Sequence, residues 1–251
     1  MPFYEREEKI LGILSINDIT SVDEIAEKLF VSKPTVRRDL NKLAKKGLVS
    51  RTHGGATIIK KSADEKIPYS LREHEQSNAK FIIAKKAVNF IKDGYTIMID
   101  GSTSALAIVP LLSEFNNLIV ITNSAKASIV LGQMGIKNIC TGGHMINKSY
   151  SYTGEEAIRT VKNYNADIAF FSCRGVSEDG YLTDNSIEEN QLRRVMMEKS
   201  HKLVFLCDKS KFGKTYLNNL CHISEIDEII SDEIIPENIL YLKNKQKKED
   251  V

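Results

Sequence analysis

The sequence predicts two folded units: a small N-terminal unit of helices and a β-hairpin, then a larger α/β unit with a mainly parallel sheet. Short helical patterns followed by a Gly-Gly turn fill residues 1–58, and from residue 95 β-prone segments alternate with helical ones. The chain has 251 residues, 42% apolar and 27% charged, which is typical of a globular protein that buries a core in each unit.

The first two predicted helices are short and separated by a polar break. Residues 4–16 carry an amphipathic pattern that ends at Asn17-Asp18. Ser21 and Glu24 have the spacing of a capping box, which predicts the start of a second helix over residues 22–29.

A third helix, over residues 32–43, follows after a tight turn. Ser32 is a good N-cap, Pro34 falls in the first turn, and Gly47 supplies a stop. Two short helices joined in this way form a helix-turn-helix. The apolar residues of the third helix recur at i, i+4 and i+7 and predict its buried face: Val36, Leu40 and Leu43.

Charge is concentrated around this third helix. Residues 28–60 contain nine Lys and Arg and one acid, a net charge of +8, whereas the whole chain carries only +2. A basic block of this kind is the electrostatic footprint of a nucleic-acid-binding surface. Taken alone, it is equally compatible with a solvated helix face.

A predicted hairpin around Gly54-Gly55 completes a winged helix. Exposed Arg, Asn, Thr and Lys side chains on such a helix suit double-stranded DNA, with a protein-docking surface as the alternative. For His53 a solvent-exposed turn residue is equally compatible with the pattern. The predicted DNA contacts are Ser32, Lys33, Thr35, Arg37, Arg38, Asn41, Lys42, Lys45, Arg51 and His53.

Asp39 is the exception on this basic helix, because phosphate would repel a carboxylate there. We expect its side chain to turn inward, where it pairs with a neighbouring arginine such as Arg37 or Arg38 or caps a backbone group.

A polar linker is predicted over residues 59–67, and the second unit over residues 68–251. It begins with a long helix, 71–91, whose predicted inner face carries Phe81, Ala84, Val88 and Ile91. Predicted strands cover residues 95–99, 118–121, 138–140, 168–173, 202–207 and 228–231. Predicted helices cover 102–112, 125–134, 155–163, 187–199 and a segment from 236. Such alternation predicts βαβ units.

Polar residues follow most of the predicted strands, where ligands of parallel sheets bind. Backbone amides, hydroxyls and lysines suit phosphate, and carboxylates suit hydroxyls, so the set predicts a site for a phosphorylated polyol. Taken alone, the 100–104 segment is more typical of a capped helix start, and Lys211 is more typical of a surface lysine. The predicted effector-binding residues are Asp100, Gly101, Ser102, Thr103, Ser104, Thr122, Asn123, Gly142, Gly143, Arg174, Asp184, Glu188, Lys209 and Lys211.

The four cysteines are scattered without metal-ligand spacing, so we expect neither a metal site nor a cofactor. Three of them, Cys140, Cys173 and Cys207, end apolar segments and are predicted to be buried thiols in a reducing compartment. No signal peptide or membrane-spanning segment is visible, so no membrane partner is expected and the predicted location is the cytoplasm.

Several motifs resemble the DeoR family of bacterial transcriptional regulators. In the first unit they are Ser32-x-x-Thr35-Val36-Arg37-Arg38-Asp39-Leu40 and the wing Arg51–Ala56. In the second they are 100–104, Thr122-Asn123, Gly142-Gly143, 180–184 and 208–213. The resemblance therefore covers nearly the whole chain. It departs at Ser104, where Thr is frequent, and at Asn190 and Gln191, where Ala and Glu are frequent.

The resemblance implies a winged helix-turn-helix followed by an effector domain similar to ribose-5-phosphate isomerase. It also implies a transcriptional regulator, most commonly a repressor, of a carbohydrate operon that senses a phosphorylated sugar or related metabolite. We expect a homodimer or homotetramer without catalytic residues. The alternative is an isomerase-like enzyme with an appended DNA-binding unit, in which Asp184, Glu188 and Lys211 supply the acid–base groups.

Overall fold

The computed structural model describes residues 3–16, 19–59, 72 and 76–245. The chain divides into two units, Met1–Ser77 and Asn78–Val251. Most of the predicted linker, residues 60–67, lies outside the described residues. Of the helices in the described ranges, none has the length and apolarity needed to cross a membrane.

The N-terminal unit is a winged helix-turn-helix, as predicted. Its small sheet has the order β1-β3-β2, with antiparallel pairing throughout. The short strand β1 was not predicted, because two residues leave no period-2 pattern in the sequence. The elements are α1 (Phe3–Ile16), β1 (Thr20–Ser21), α2 (Val22–Leu29), α3 (Lys33–Lys45), β2 (Val49–Thr52) and β3 (Gly55–Ile58).

Capping side chains set the ends of these helices. The Ser21 hydroxyl accepts a hydrogen bond from the Glu24 amide at 3.1 Å, and the Ser32 hydroxyl accepts one from the Thr35 amide at 3.4 Å. Beyond α3, Gly47 adopts a φ of +68°, which lets the chain turn away after the last helical residue. The N-caps and the glycine stop predicted from the sequence are therefore confirmed.

The two glycines of the wing have different roles. Gly54 forms the turn between β2 and β3 with a φ of +85°. Gly55 lies against strand β1, where a Cβ atom would come within 2.3 Å of the Thr20 carbonyl oxygen. The second glycine is therefore required by the close approach of β1 and not by the turn itself.

The buried face of α3 is the predicted one, since Val36, Leu40 and Leu43 are fully buried. Asp39 is also fully buried, so its inward orientation is confirmed, but its predicted partners are wrong. Its carboxylate accepts hydrogen bonds from the Arg6 guanidinium on α1, at 2.6 Å from Nε and 3.2 Å from Nη2. The adjacent arginines Arg37 and Arg38 remain exposed. A bidentate ion pair therefore ties α1 to the centre of α3.

We predict that Asp39→Ala lowers the local stability of the N-terminal unit by about 3 kcal/mol, because Arg6 is left without its carboxylate. Hydrogen exchange of the α3 amides in the full chain measures the effect. The control Asp23→Ala breaks the exposed Lys33–Asp23 pair and should cost less than about 1 kcal/mol. Equal effects of the two substitutions would contradict a structural role for the Arg6–Asp39 pair.

The larger unit is built around a six-stranded sheet in which every neighbouring pair is parallel, in the order β14-β12-β9-β4-β5-β6. The strands of this sheet are β4 (Thr96–Ile99), β5 (Ile119–Thr122), β6 (Lys137–Cys140), β9 (Ala166–Phe171), β12 (Ser200–Leu206) and β14 (Glu228–Ile230). The predicted α/β fold class is confirmed.

Helices cover both faces of the sheet, and the side chains of each strand alternate between the two. Ile97 and Ile99 face one cluster with Ile83 of α4, whereas Met98 faces the other with Leu192 of α8. The helices are α4 (Ser77–Ala87), α5 (Thr103–Leu106), α6 (Ala125–Gln133), α7 (Glu155–Lys162), α8 (Ile187–Glu198) and α9 (Glu237–Lys245).

The sequence did not predict two antiparallel additions beyond the main sheet. One is a hairpin of β7 (His144–Ile146) and β8 (Ser151–Thr153). The other is a three-stranded sheet, β10-β11-β13. Its strands are β10 (Gly175–Val176), β11 (Tyr181–Asp184) and β13 (Asn218–His222).

The first helix of this unit also differs from the prediction. It begins at Ser77 and ends at Ala87, continuing as one 3₁₀ turn. Ala84 and Ile91 are buried, as predicted. Phe81 was predicted to face the core but is 52% exposed, because Ile83 and Ala87 complete the buried face in its place. Helix 102–112 is likewise shorter, with Thr103–Leu106 followed by a 3₁₀ segment over Val109–Glu114.

All four cysteines are free thiols. Cys173 and Cys207 are buried, as predicted, whereas Cys140 is only half-buried. Burial raises the pKa of the Cys173 thiol to about 12, in spite of the nearby Lys211 ammonium. This thiol is therefore protonated at neutral pH and a poor nucleophile.

Candidate functional site

The exposed face of α3 forms a basic concave surface. The residues lining it are Pro34, Arg37, Arg38, Asn41, Lys42 and Lys45. Five of these six side chains carry hydrogen-bond donors, and four are cationic, so the surface suits phosphates and base edges of DNA.

Some of the predicted DNA contacts have partners within the protein. The Lys33 ammonium pairs with Asp23 at 2.8 Å, and the Lys42 ammonium lies 4.4 Å from the centre of the Phe3 ring. Ser32 and Thr35 share a hydroxyl hydrogen bond at 2.9 Å at the start of the helix. Arg51 and His53 are exposed on the wing. These helix and wing residues remain predicted DNA contacts.

A second group of polar side chains, the strand-end cluster, lies where the parallel strands end. Its centre is Arg193 on α8, which the sequence reasoning missed. The Arg193 guanidinium donates to Asp100 Oδ2 at 2.7 Å, to Asp184 Oδ2 at 3.1 Å and to Asn190 Oδ1 at 2.9 Å. Asp100 follows β4 and Asp184 ends β11, so one side chain joins the two sheets through α8. The sequence did carry one indication of its role, because Arg193 is a cation on the apolar face of a predicted helix.

This group is buried, with Asp100 only 1% and Arg193 only 6% exposed. Burial by itself would lower the pKa of Arg193, but Asp184, Asp100 and Glu189 outweigh it and raise the pKa above its ordinary value. The guanidinium therefore stays charged. It orients both carboxylates, and Asp100 also accepts from the Ser102 amide and hydroxyl.

Lys211 occupies a second part of the cluster. Its ammonium donates to Ser172 Oγ at 2.6 Å and to Ser104 Oγ at 3.3 Å, and lies 3.6 Å from Asp208 Oδ2. Lys80, another residue that sequence reasoning missed, is buried nearby and acts electrostatically on Asp208. Lys211 thus joins the hydroxyls of Ser172 and Ser104 to the Asp208 carboxylate.

A third part involves the β7–β8 hairpin, which the prediction lacked. Its Ser151 hydroxyl donates to Glu189 on α8 at 2.7 Å and shares a 2.5 Å hydrogen bond with Ser149. A Cβ atom at Gly101 would come within 2.5 Å of Ser151 Cβ. The glycine after β4 is therefore required so that the hairpin can approach the strand ends.

The remaining predicted residues divide into inner and peripheral ones. Thr122 is buried and holds the Ser124 amide at 3.0 Å, and Arg174 lies 3.6 Å from Asp184. Glu188 is exposed with a hydrogen bond from Ser186, and the Lys209 ammonium pairs with Glu233. The other inner residues are Ser102, Thr103, Ser104 and Asn123, whereas Gly142 and Gly143 lie beside the hairpin.

The strand-end cluster consists of the polar and charged side chains that are typical of sites for polar ligands. In the described residues, no group of three or more His, Cys, Asp or Glu side chains has the arrangement of a metal site. The carboxylates of Asp100 and Asp184 bind Arg193. The cluster therefore favours hydrogen bonding to a polar ligand.

The chain matches the profiles of two known domain families. The profile of the DeoR-like helix-turn-helix domain matches residues 6–62, and that of the DeoR C-terminal sensor domain matches residues 75–233. The chain belongs to the DeoR family. The resemblance inferred from the motifs is thereby confirmed, and the protein is a DNA-binding transcriptional regulator.

Relatives of this DeoR-family protein match over nearly their full length. An uncharacterised HTH-type regulator, YulB, of Bacillus subtilis is 33% identical over 97% of this chain and 95% of its own. The L-fucose operon activator of Haemophilus influenzae is 32% identical, over 93% and 94%. The glycerol-3-phosphate regulon repressor of Escherichia coli is 28% identical, over 94% and 93%. The family thus includes both activators and repressors.

Among solved structures, ribose-5-phosphate isomerase A from Methanocaldococcus jannaschii is 21% identical, with a TM-score of 0.42 over 55% of each chain. This similarity concerns the fold and not the activity.

The DeoR-family chain offers a direct test of the charges around Lys211. Burial by itself raises the pKa of the Asp208 carboxyl, but Lys211, the Ser210 hydrogen bonds and Lys80 outweigh it and hold the pKa below its ordinary value. Lys211→Met should therefore raise the Asp208 pKa. A ¹³C carboxyl titration by NMR measures it.

The matched control is Lys209→Met, because the Lys209 ammonium pairs with Glu233. This variant should leave the Asp208 pKa at its wild-type value. A carboxyl with a lowered pKa contributes stability above its unfolded pKa that is lost as the pH falls through the folded pKa. Lys211→Met should therefore also lose less stability than wild type on acidification below about pH 4. An Asp208 pKa that does not change in Lys211→Met would contradict the described contacts.

Proposed function

We propose that the protein represses a carbohydrate-metabolism operon, and that a phosphorylated sugar or related metabolite bound at the strand-end cluster controls its affinity for operator DNA. One observation carries the proposal: the buried cluster around Arg193 and Lys211 lies inside the segment that matches a sensor domain, in a chain that also carries a basic α3 face.

The α3 surface supports contact with DNA. Arg37, Arg38 and Asn41 are exposed, while the acid between them in sequence, Asp39, is removed from the surface by Arg6. Guanidinium and amide groups can read base edges in the major groove, and lysines such as Lys45 contact phosphates.

The strand-end cluster supports a phosphorylated sugar. Lys211 and the hydroxyls of Ser104 and Ser172 form the part suited to phosphate. The amides and hydroxyls at the ends of the neighbouring strands suit the hydroxyls of a polyol. Two relatives are named for a glycerol-3-phosphate regulon and an L-fucose operon. These names support carbohydrate metabolism as the regulated process.

The proposed mechanism is linkage. Effector binding stabilises one arrangement of the protein, and DNA affinity differs between arrangements. One winged helix contacts little DNA, so we propose that a homodimer or homotetramer reads repeated half-sites. We propose no enzymatic turnover, because Asp100 and Asp184, the carboxylates nearest the cluster's centre, are occupied by Arg193.

We predict that Arg38→Ala weakens binding to a duplex from the protein's own upstream region by about 1–3 kcal/mol, because a charged groove contact is lost. Fluorescence anisotropy over a range of salt concentrations measures it. Wild-type affinity should fall linearly on a log–log plot as counterions are released. The control Lys46→Ala removes the same charge from a residue that pairs with Glu7 and should have a smaller effect. A flat salt response would contradict DNA binding by this surface.

A thermal-shift screen of wild-type protein tests the effector part. We expect at least one phosphorylated sugar to raise the unfolding temperature, because a ligand that binds only the folded state stabilises it. Lys211→Met should lose that shift while retaining DNA affinity, and Lys209→Met should keep it. No shift with any pentose, hexose or triose phosphate would refute the proposed effector class.

A further inference from the structure

Asn123 has an unusual hydrogen-bonding state. Its side chain is 4% exposed, and its Nδ2 donates to the Tyr152 carbonyl oxygen at 2.9 Å. Within residues 78–245, its Oδ1 is the buried side-chain polar atom that has no hydrogen-bond partner. Buried acceptors without donors are rare in folded proteins, because they lose water and gain nothing in exchange.

The orientation of the amide is fixed by its surroundings. If the two amide atoms exchanged places, Oδ1 would face the Tyr152 carbonyl oxygen, and two acceptors would lie 2.9 Å apart. Tyr152 also donates its backbone N–H to the Asn123 carbonyl at 2.7 Å. This reciprocal pair holds the side chain, so Oδ1 cannot obtain a donor by rotating.

Two backbone donors close to Asn123 in sequence are already used. The Ser124 amide donates to Thr122 Oγ1 at 3.0 Å, and the Ala127 amide donates to Ser124 Oγ at 3.2 Å. On the other side lies Gly101, where a Cβ atom would be 3.6 Å from Asn123 Nδ2. The Asn123 side chain thus borders the loop that follows β4.

We propose that Asn123 Oδ1 accepts a hydrogen bond from a hydroxyl group of the effector and thereby determines specificity for the polyol end of the ligand. This inference rests on the proposed function. The phosphate group of a sugar phosphate is a phosphomonoester dianion that offers only acceptors, so it cannot satisfy Oδ1, whereas a sugar hydroxyl can.

The proposal also orients the ligand. Lys211 contacts Ser172, just after β9, and Asn123 lies just after β5. Strand β4 lies between β9 and β5, so the two ends of the site are two strand spacings apart, about 10 Å. A phosphorylated monosaccharide can bridge this span with its phosphate at Lys211 and its distal hydroxyls at Asn123.

Isothermal titration calorimetry of the full chain tests the inference. The probes are ribose 5-phosphate, glucose 6-phosphate, fructose 6-phosphate, glycerol 3-phosphate and inorganic phosphate. Asn123→Leu, which keeps the approximate shape but has no acceptor, should bind the sugar phosphate preferred by wild type at least about tenfold more weakly. Its affinity for inorganic phosphate should be that of wild type. Asn123→Gln, which keeps both the amide donor and an acceptor oxygen, should retain most of the sugar-phosphate affinity.

Asn138 provides the matched control, because both ends of its amide have partners: Oδ1 accepts from Ser128, and Nδ2 donates to Ile136. Asn138→Leu should reduce thermal stability and leave all probe affinities unchanged. Wild-type affinity for sugar phosphates in Asn123→Leu would overturn the inference, and so would equal losses in Asn123→Leu and Asn123→Gln or a loss for inorganic phosphate. If wild type binds none of the sugar phosphates, the proposed function fails and the inference fails with it.

Discussion

The ion pairs of Arg193 with Asp100 and Asp184 are the interaction on which the strand-end cluster depends. Three buried charged groups from three elements meet there, and none is stable alone, because removing one leaves another charge uncompensated in a low-dielectric interior. Such groups add little net stability compared with apolar packing. Their effect is to fix the loop after β4 and the end of β11 relative to α8, which positions the polar groups around them.

The N-terminal unit uses the same device on a smaller scale. Arg6 binds the buried Asp39 carboxylate, so α3 keeps an acid on its inner face while its outer face stays basic. In both units an arginine binds carboxylates that would otherwise face an anion, DNA in one case and the proposed phosphorylated sugar in the other. The electrostatic character of each surface therefore depends on a partner that is distant in sequence.

Local patterns in the sequence were sufficient to predict the elements with strong periodicity or capping chemistry. Ser21, Ser32 and Gly47 set helix ends as expected, and the parallel sheet followed from the alternation of strands and helices. The β7–β8 hairpin and strand β1 were missed, since both are two or three residues long and are held by tertiary contacts such as that of Gly55 with Thr20. Phe81 was misassigned, although Ala84 of the same predicted face is buried, because the buried stripe of this helix passes through Ile83.

The residues of the candidate site also fall into those that the sequence predicted and those that it did not. Residues directly after strands, such as Asp100 and Asn123, could be named from position alone. Arg193, Lys80 and Ser151 could not, because they come from helices and a hairpin whose placement depends on the folded chain. The partner of Asp39 was wrong for the same reason: Arg6 is 33 residues away in sequence, whereas Arg37 and Arg38 are adjacent but face outward.

The central claim is that occupation of the strand-end cluster changes affinity for DNA. Fluorescence anisotropy of an upstream duplex, titrated with wild-type protein with and without the sugar phosphate that gives the largest thermal shift, measures this coupling directly. The account predicts a loss of DNA affinity of about 5- to 150-fold at saturating ligand, and no change in Lys211→Met. Unchanged wild-type affinity under saturating ligand would contradict the linkage, and an increase would contradict release of a repressor.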